Sequence, residues 1–144
     1  MSLLCAFIVQ GDPVGKGRPR FTRQGHAFTP HKTATAESVV AMSARLEYGL
    51  REPTKKPVTI QIEARFAVPS SASNKKRLFL LGQACTKRPD ADNVAKLVCD
   101  ALNGVIWKDD AQICGLEVWK TWAEHGSLIV RVFEESIDDD ATNV

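Results

Sequence analysis

Residues 58–68 constrain the fold most. Val58, Ile60, Ile62, Ala64, Phe66 and Val68 alternate with Thr59, Gln61, Glu63 and Arg65. A period of two with one apolar side is the pattern of a half-buried β-strand.

Other elements arrange themselves around that strand. Residues 3–9 form a short apolar run and read as a buried strand. Residues 11–21 hold three glycines and two prolines and read as a loop, from which Lys16, Arg18, Arg20 and the nearby Arg23 project. Residues 20–29 read as a small hairpin turning at Gln24 and Gly25. Thr29, Pro30 and His31 open a helix. Ala34, Val39, Val40, Ala41, Met42, Ala44, Leu46 and Leu50 carry its apolar spacing, and Gly49 can end it. After a loop at 69–74 comes a short segment with Lys75, Lys76 and Arg77. A second main helix spans 89–103, with Gly104 placed to stop it, and residues 105–107 read as a short strand. Residues 113–122 and 127–133 read as two strands joined as a hairpin near residues 124–126. The apolar faces of residues 3–9 and the aromatic Trp119 and Trp122 are candidates for a dimer interface, though the core is the expected place for them. The predicted fold class is α+β: a single domain with a mixed or antiparallel sheet and two main helices packed mainly on one face. It covers 1–133, and 134–144 form an acidic, flexible tail.

The net charge of +2 conceals an asymmetry. Residues 1–88 carry 15 Lys and Arg against 5 Asp and Glu, whereas residues 89–144 carry 4 against 12. A basic first half points to an anionic partner. The 144 residues suit one domain of ordinary globular composition. Cys5, Cys85, Cys99 and Cys114 lack the close spacing of a zinc pair. No basic region precedes the first apolar run, which is too short for a membrane span, so a cytoplasmic protein without membrane association is expected.

Chemistry concentrates in residues 88–113, which contain Asp90, Asp92, Asp100, Asp109 and Asp110. On a helix beginning near Asp92, the side chains of Asp92, Lys96 and Asp100 share one exposed stripe, while Val94, Leu97, Val98, Ala101 and Leu102 face a core. Asp90 lies just before the helix, where a carboxylate is stabilised by exposed N–H groups and the dipole. Asp90 and Asp92 point to the same side of an extended approach and can converge on a hard cation. Asp109 and Asp110 follow the helix and can supply a further carboxylate. Carboxylates, Mg²⁺ and a lysine one turn away make up the equipment for phosphodiester hydrolysis.

Two rival motifs fail on particular residues. An EF-hand reading from Asp90 meets Ala95 where glycine is needed and Ala101 where a bidentate glutamate is needed. The glycine-rich run at 11–17 is one residue short of a P-loop and has Gly17 in place of Ser or Thr, although its N–H groups and Lys16 could still cradle a DNA phosphate. His26, His31 and His125 are scattered and read as surface residues.

Two blocks of the sequence resemble the RusA family of Holliday junction resolvases. One comprises Asp90, Asp92 and Asn93 with Lys96, then residues 100–104, then Asp109, Asp110, Gln112 and Ile113. The other comprises Gly11, Pro13, Lys16, Gly17, Arg18, Pro19, Arg20 and Phe21. The resemblance implies a Mg²⁺-dependent homodimer, with Mn²⁺ as a substitute and no organic cofactor. Such a dimer binds a four-way DNA junction and cuts it by paired symmetric nicks in recombination and repair, and it is bacterial or phage-encoded. It further implies a metal site of Asp90, Asp92 and Asp110, with Lys96 as the functional lysine. Asp109 and Asp100 fit the pattern without an assigned role, though Asp100 could orient Lys96. Phosphate contacts are expected from Lys16, Arg18, Arg20, Arg23, Lys75, Lys76, Arg77, Lys87 and Arg88, and Lys55 and Lys56 are expected to be solvated charges. The competing readings are a non-catalytic or differently specific DNA-structure-binding protein of the same fold, and a Mg²⁺ enzyme acting on small phosphates. The spread of basic residues favours a long polyanion.

Overall fold

In the computed structural model, which describes residues 1–137, ten elements follow in order. These are β1 (Ser2–Gln10), β2 (Arg20–Phe21), β3 (Ala27–Phe28), α1 (His31–Tyr48), β4 (Val58–Ala67), α2 (Asn74–Leu80), α3 (Ala91–Leu102), a 3-10 turn (Asp110–Gln112), β5 (Ile113–Ala123) and β6 (Ser127–Glu134). Among the described residues no helix is long and apolar enough to cross a membrane.

The alternation read in residues 58–68 places β4 at the centre. Val58, Ile60, Ile62 and Ala64 are wholly buried and Phe66 nearly so. The main sheet has the order β1-β6-β4-β5; β6 is antiparallel to β1 and β4, and β5 is parallel to β4. The sheet is therefore mixed, and the class is α+β as expected. Against the same face pack Cys5 and Phe7 of β1, Leu128, Val130 and Val132 of β6, Val40 and Ala44 of α1, and Val94, Leu97, Val98 and Leu102 of α3. These form one contiguous core, and the α1–α3 pair forms the covering layer. The opposite face carries Glu63, which pairs with Arg65 at 3.2 Å and Arg131 at 3.5 Å.

Several sequence expectations are corrected. The strands at 113–122 and 127–133 are not a hairpin, because β4 lies between them. The link at 124–126 has to cross two strand spacings, about 9.6 Å, which three extended residues can just span. The reason is burial: β4 is the strand whose alternate residues leave water completely, so it takes the position with both edges paired. Residues 105–107 are a turn rather than a strand, with Trp107 in an isolated bridge to Thr54. β1 is half-buried, with Leu3 57% and Ile8 56% exposed, and Trp119 is 65% exposed rather than in the core. On α1 the buried line is Thr33, Val40, Ala44 and Tyr48, whereas Val39, Met42 and Leu46 face outward. Glu134, assigned to the tail, closes β6 opposite Ser2 and Val58, and Glu135 N–H donates to Pro57 O. The remaining tail residues, 138–144, lie outside the described residues.

Candidate functional site

The loop between β1 and β2 is wedged between the N-termini of α1 and α3. A Cβ on Gly15 would meet Pro89 Cβ at 2.6 Å and Asn93 Cβ at 3.1 Å, and one on Gly17 would meet Thr33 Oγ1 at 2.8 Å. Only glycine permits so close an approach. The amide of Lys16 donates to Asn93 O at 2.9 Å and that of Gly17 to Thr33 Oγ1 at 3.0 Å. These two donors are therefore occupied by the two helices. The Lys16 ammonium is paired with Glu37 and lies 3.1 Å from the Asp100 carboxylate. Burial alone would depress Lys16, but its hydrogen bonds to Glu37 and Asp100 and their charges hold it above the ordinary lysine range. It is a clamp between loop, α1 and α3, and it also lines the groove beside it. Asp100 is correspondingly held by Lys16 instead of orienting Lys96.

Beside this clamp opens a groove of about 610 Å³. Arg18, Arg20, Lys32 and Arg88 line it, together with Asp90, Asn93 and the first turns of α1 and α3. Two helix N-termini, the paired Lys16 and four side-chain cations with no ion pair among the described residues make a setting for phosphate oxygens. Lys32 was missed by the sequence reading; its position in the first turn after the basic loop was the available signal. Of the other expected contacts, Arg18, Arg23, Lys75, Lys76 and Arg88 are exposed and form no ion pair among the described residues. Lys87 instead pairs with Asp12 at 3.4 Å and Arg77 with Glu124 at 3.5 Å. Lys56 pairs with Glu134 at 3.6 Å.

The five acids of residues 88–113 divide by what holds them. Asp109 is a structural cap: its side chain accepts from Ala111 N–H, and Gln112 Oε1 accepts from its own N–H at 2.8 Å. Asp110 accepts at Oδ1 from Trp107 Nε1 at 2.8 Å, and Trp107 is fully buried. Asp100 is tied to Lys16. Asp90 occupies the N-cap position of α3 but makes no capping hydrogen bond, and Asp92 is exposed in the first turn. An N-cap carboxylate normally contributes about 1 kcal/mol through that bond. Here the Asp90 carboxylate is left available. Lys96 follows Asp92 by one turn on the outward stripe, is exposed, and forms no ion pair among the described residues.

Among the described residues no group of three or more His, Cys, Asp or Glu side chains is disposed to hold a metal ion. Asp90, Asp92 and Asp110 remain the ligand set that the family resemblance implies. The Cys99 thiol of α3 is pushed up to about 12 by burial first and by the charges of Asp110 and Asp100 second. The pair Asp90 and Asp92 is itself an oxygen-only donor set. Mg²⁺ is commonly held by one or two carboxylates, with waters and substrate phosphate completing its shell.

A one-sided α+β domain with a cationic groove that contains the uncapping Asp90 carboxylate, and with Asp92 exposed in the same first turn, is suited to handling a phosphate backbone. A family model described as "Endodeoxyribonuclease RusA" matches residues 10–133. The chain belongs to this endodeoxyribonuclease family, whose members hydrolyse DNA phosphodiesters. It is also 34% identical over 137 residues to the "Uncharacterized protein YqaN" of Bacillus subtilis (strain 168), a match covering 90% of this chain and 96% of that protein.

Proposed function

We propose that this protein is a Mg²⁺-dependent endodeoxyribonuclease that resolves four-way DNA junctions by paired, symmetric nicks in recombination and repair, with Mn²⁺ able to substitute. The observation that carries the reading is the state of Asp90: a carboxylate at a helix N-cap that does not cap, opening onto a groove lined by Arg18, Arg20, Lys32 and Arg88. A carboxylate kept only for structure would form the capping bond that Asp109 forms.

In this reading Asp90 and Asp92 hold the ion, which when bound supplies Lewis-acid charge at the scissile phosphate. Arg18, Arg20, Lys32 and Arg88 bind the adjoining phosphates and set the register of the strand. Lys96, one turn from Asp92 and without an ion pair among the described residues, neutralises charge that builds on the phosphate oxygens in the transition state. Asp110 is the third carboxylate that the family resemblance assigns. Its Oδ1 is fixed by Trp107, and its Oδ2 accepts no hydrogen bond from the described residues. Two symmetric incisions in a substrate with approximate two-fold symmetry call for two copies of the chain related by the same axis.

The test compares binding and cleavage of a synthetic four-way junction and a linear duplex of the same sequence, with and without Mg²⁺. The expected result is preferential junction binding and Mg²⁺-dependent paired nicking. Equal binding to junction and duplex would contradict the resolvase reading.

A further inference from the structure

The β2–β3 hairpin is anchored at its root and unsupported beyond it. Its root is the Lys16 clamp and the Gly17–Thr33 hydrogen bond. Every residue from Arg18 to Thr29 is exposed. What order the hairpin has is internal: Thr22 N–H donates to His26 O at 2.8 Å, Gly25 N–H to Thr22 O at 2.9 Å, and Gly25 turns the chain at φ +83°. A two-stranded ribbon with no core is marginal in water by itself.

The ribbon is nevertheless not polar. Phe21 is 70% and Phe28 46% exposed. The register pairs Arg20 with Phe28 and Phe21 with Ala27. Residues directly opposite in a ladder share a face, so one aromatic ring lies on each face of the ribbon, and Phe28 shares its face with Arg20. Arg20 also lines the groove that contains Asp90. Arg23 and His26 flank the tip. Exposed aromatic rings among cations form a stacking platform for bases, whereas a simple phosphate contact needs only the cations.

We propose that the β2–β3 hairpin enters the opening at the branch point of a four-way junction, where Phe21 and Phe28 stack on the base pairs exposed at the ends of adjoining arms. Arg20 and Arg23 hold the flanking phosphates. The inference rests on the junction-resolving reading above and adds to it the group that recognises the branch. Cations in the groove bind any duplex. The rings find a partner only where stacking is interrupted.

The test uses the full chain in Ca²⁺ without Mg²⁺, so that binding is read apart from cleavage, on a junction carrying 2-aminopurine at the branch point and on a linear duplex. For wild type, 2-aminopurine fluorescence should change on binding. The double variant Phe21→Ala with Phe28→Ala should lose about tenfold in junction affinity, lose the fluorescence change, and keep its duplex affinity. Phe21→Trp should retain both signals. Circular dichroism of the double variant should match wild type, since neither ring belongs to the core. If the double variant binds the junction and perturbs 2-aminopurine as wild type does, the hairpin proposal is overturned while the nuclease reading stands. If wild type itself fails to prefer the junction, both fall.

Discussion

Lys16 Nζ lies 3.1 Å from the Asp100 carboxylate while also paired with Glu37. A lysine in a loop of glycine and arginine thus serves as a three-way tie between the loop, α1 and the helix that carries Asp92 and Lys96. The tie sets where the groove wall stands relative to the two free carboxylates.

Removing it should cost stability. Lys16→Met leaves the partly buried Glu37 and the more exposed Asp100 without their cation. The expected loss is about 1 kcal/mol, because Glu37 is left unpaired and partly desolvated while solvent screens Asp100. Arg18→Ala, two residues on and fully solvated, should stay within about 0.5 kcal/mol of wild type. Urea unfolding of both variants checks the contrast. Because Lys16 is held above its ordinary range, its contribution is fully present below the unfolded lysine value and is lost only as pH rises through the folded one. The clamp should therefore be insensitive to pH across neutrality.

The cationic groove predicts a steep salt dependence of DNA binding. Replacing Arg18, Lys32 or Arg88 by Ala should weaken junction and duplex binding alike and reduce the slope of log affinity against log salt by about 1 per contact. Lys87→Ala and Arg77→Ala, whose charges are already matched by Asp12 and Glu124, should change the slope less. Fluorescence anisotropy over a salt series measures this.

Thiol chemistry separates two cysteines. Cys114 is exposed, whereas the Cys99 thiol is pushed up to about 12 by burial and the nearby carboxylates. At pH 8 a disulfide reagent should modify Cys114 in the native protein and leave Cys99 unreacted until unfolding. The unfolded state gives up the Cys99 proton at a lower pH than the native state. Cys99 should therefore subtract stability progressively between the ordinary value of 9.0 and about 12. Comparing alkaline unfolding of Cys99→Ala with wild type shows whether that slope disappears.

Trp107 predicts a coupling between core and site. Trp107→Phe fills most of the same buried volume but withdraws the hydrogen bond from Asp110. A hydrogen bond to a charged group contributes about 1.5–3 kcal/mol, so stability should drop by about that amount. Cleavage should fall further than junction binding, since Asp110 loses its fixed orientation. Binding and single-turnover cleavage measured on the same preparation separate the two effects.

The fold was largely legible because burial writes itself into spacing. β4 and α3 could be read from their apolar periods, and the hairpin turn from Gly25. The neighbours of β4 could not be read. Nothing local in residues 113–133 tells a hairpin from two strands split by a third, since that choice is made by which strand loses all its water. The site was legible as a set of acids but not as a division of labour. Asp109 and Asp90 both precede a helical turn, and only the hydrogen bonds distinguish the cap from the free carboxylate. The pairing of Lys16 with Glu37 and Asp100 joins residues far apart in the chain, and the net charge of the first half could not reveal it.

The most direct measurement is single-turnover cleavage of a four-way junction by wild type and Asp92→Asn in Mg²⁺, with binding measured in parallel. Asp92→Asn should fold normally and bind the junction at least as tightly, since it removes a negative charge beside a phosphate groove. Its cleavage should fall about 10²–10⁴-fold, the effect of losing several kcal/mol of metal-assisted stabilisation. Chelation of the metal should bring wild type to the same level. Cleavage by Asp92→Asn at the wild-type rate would contradict the assignment of the hydrolytic site to the start of α3.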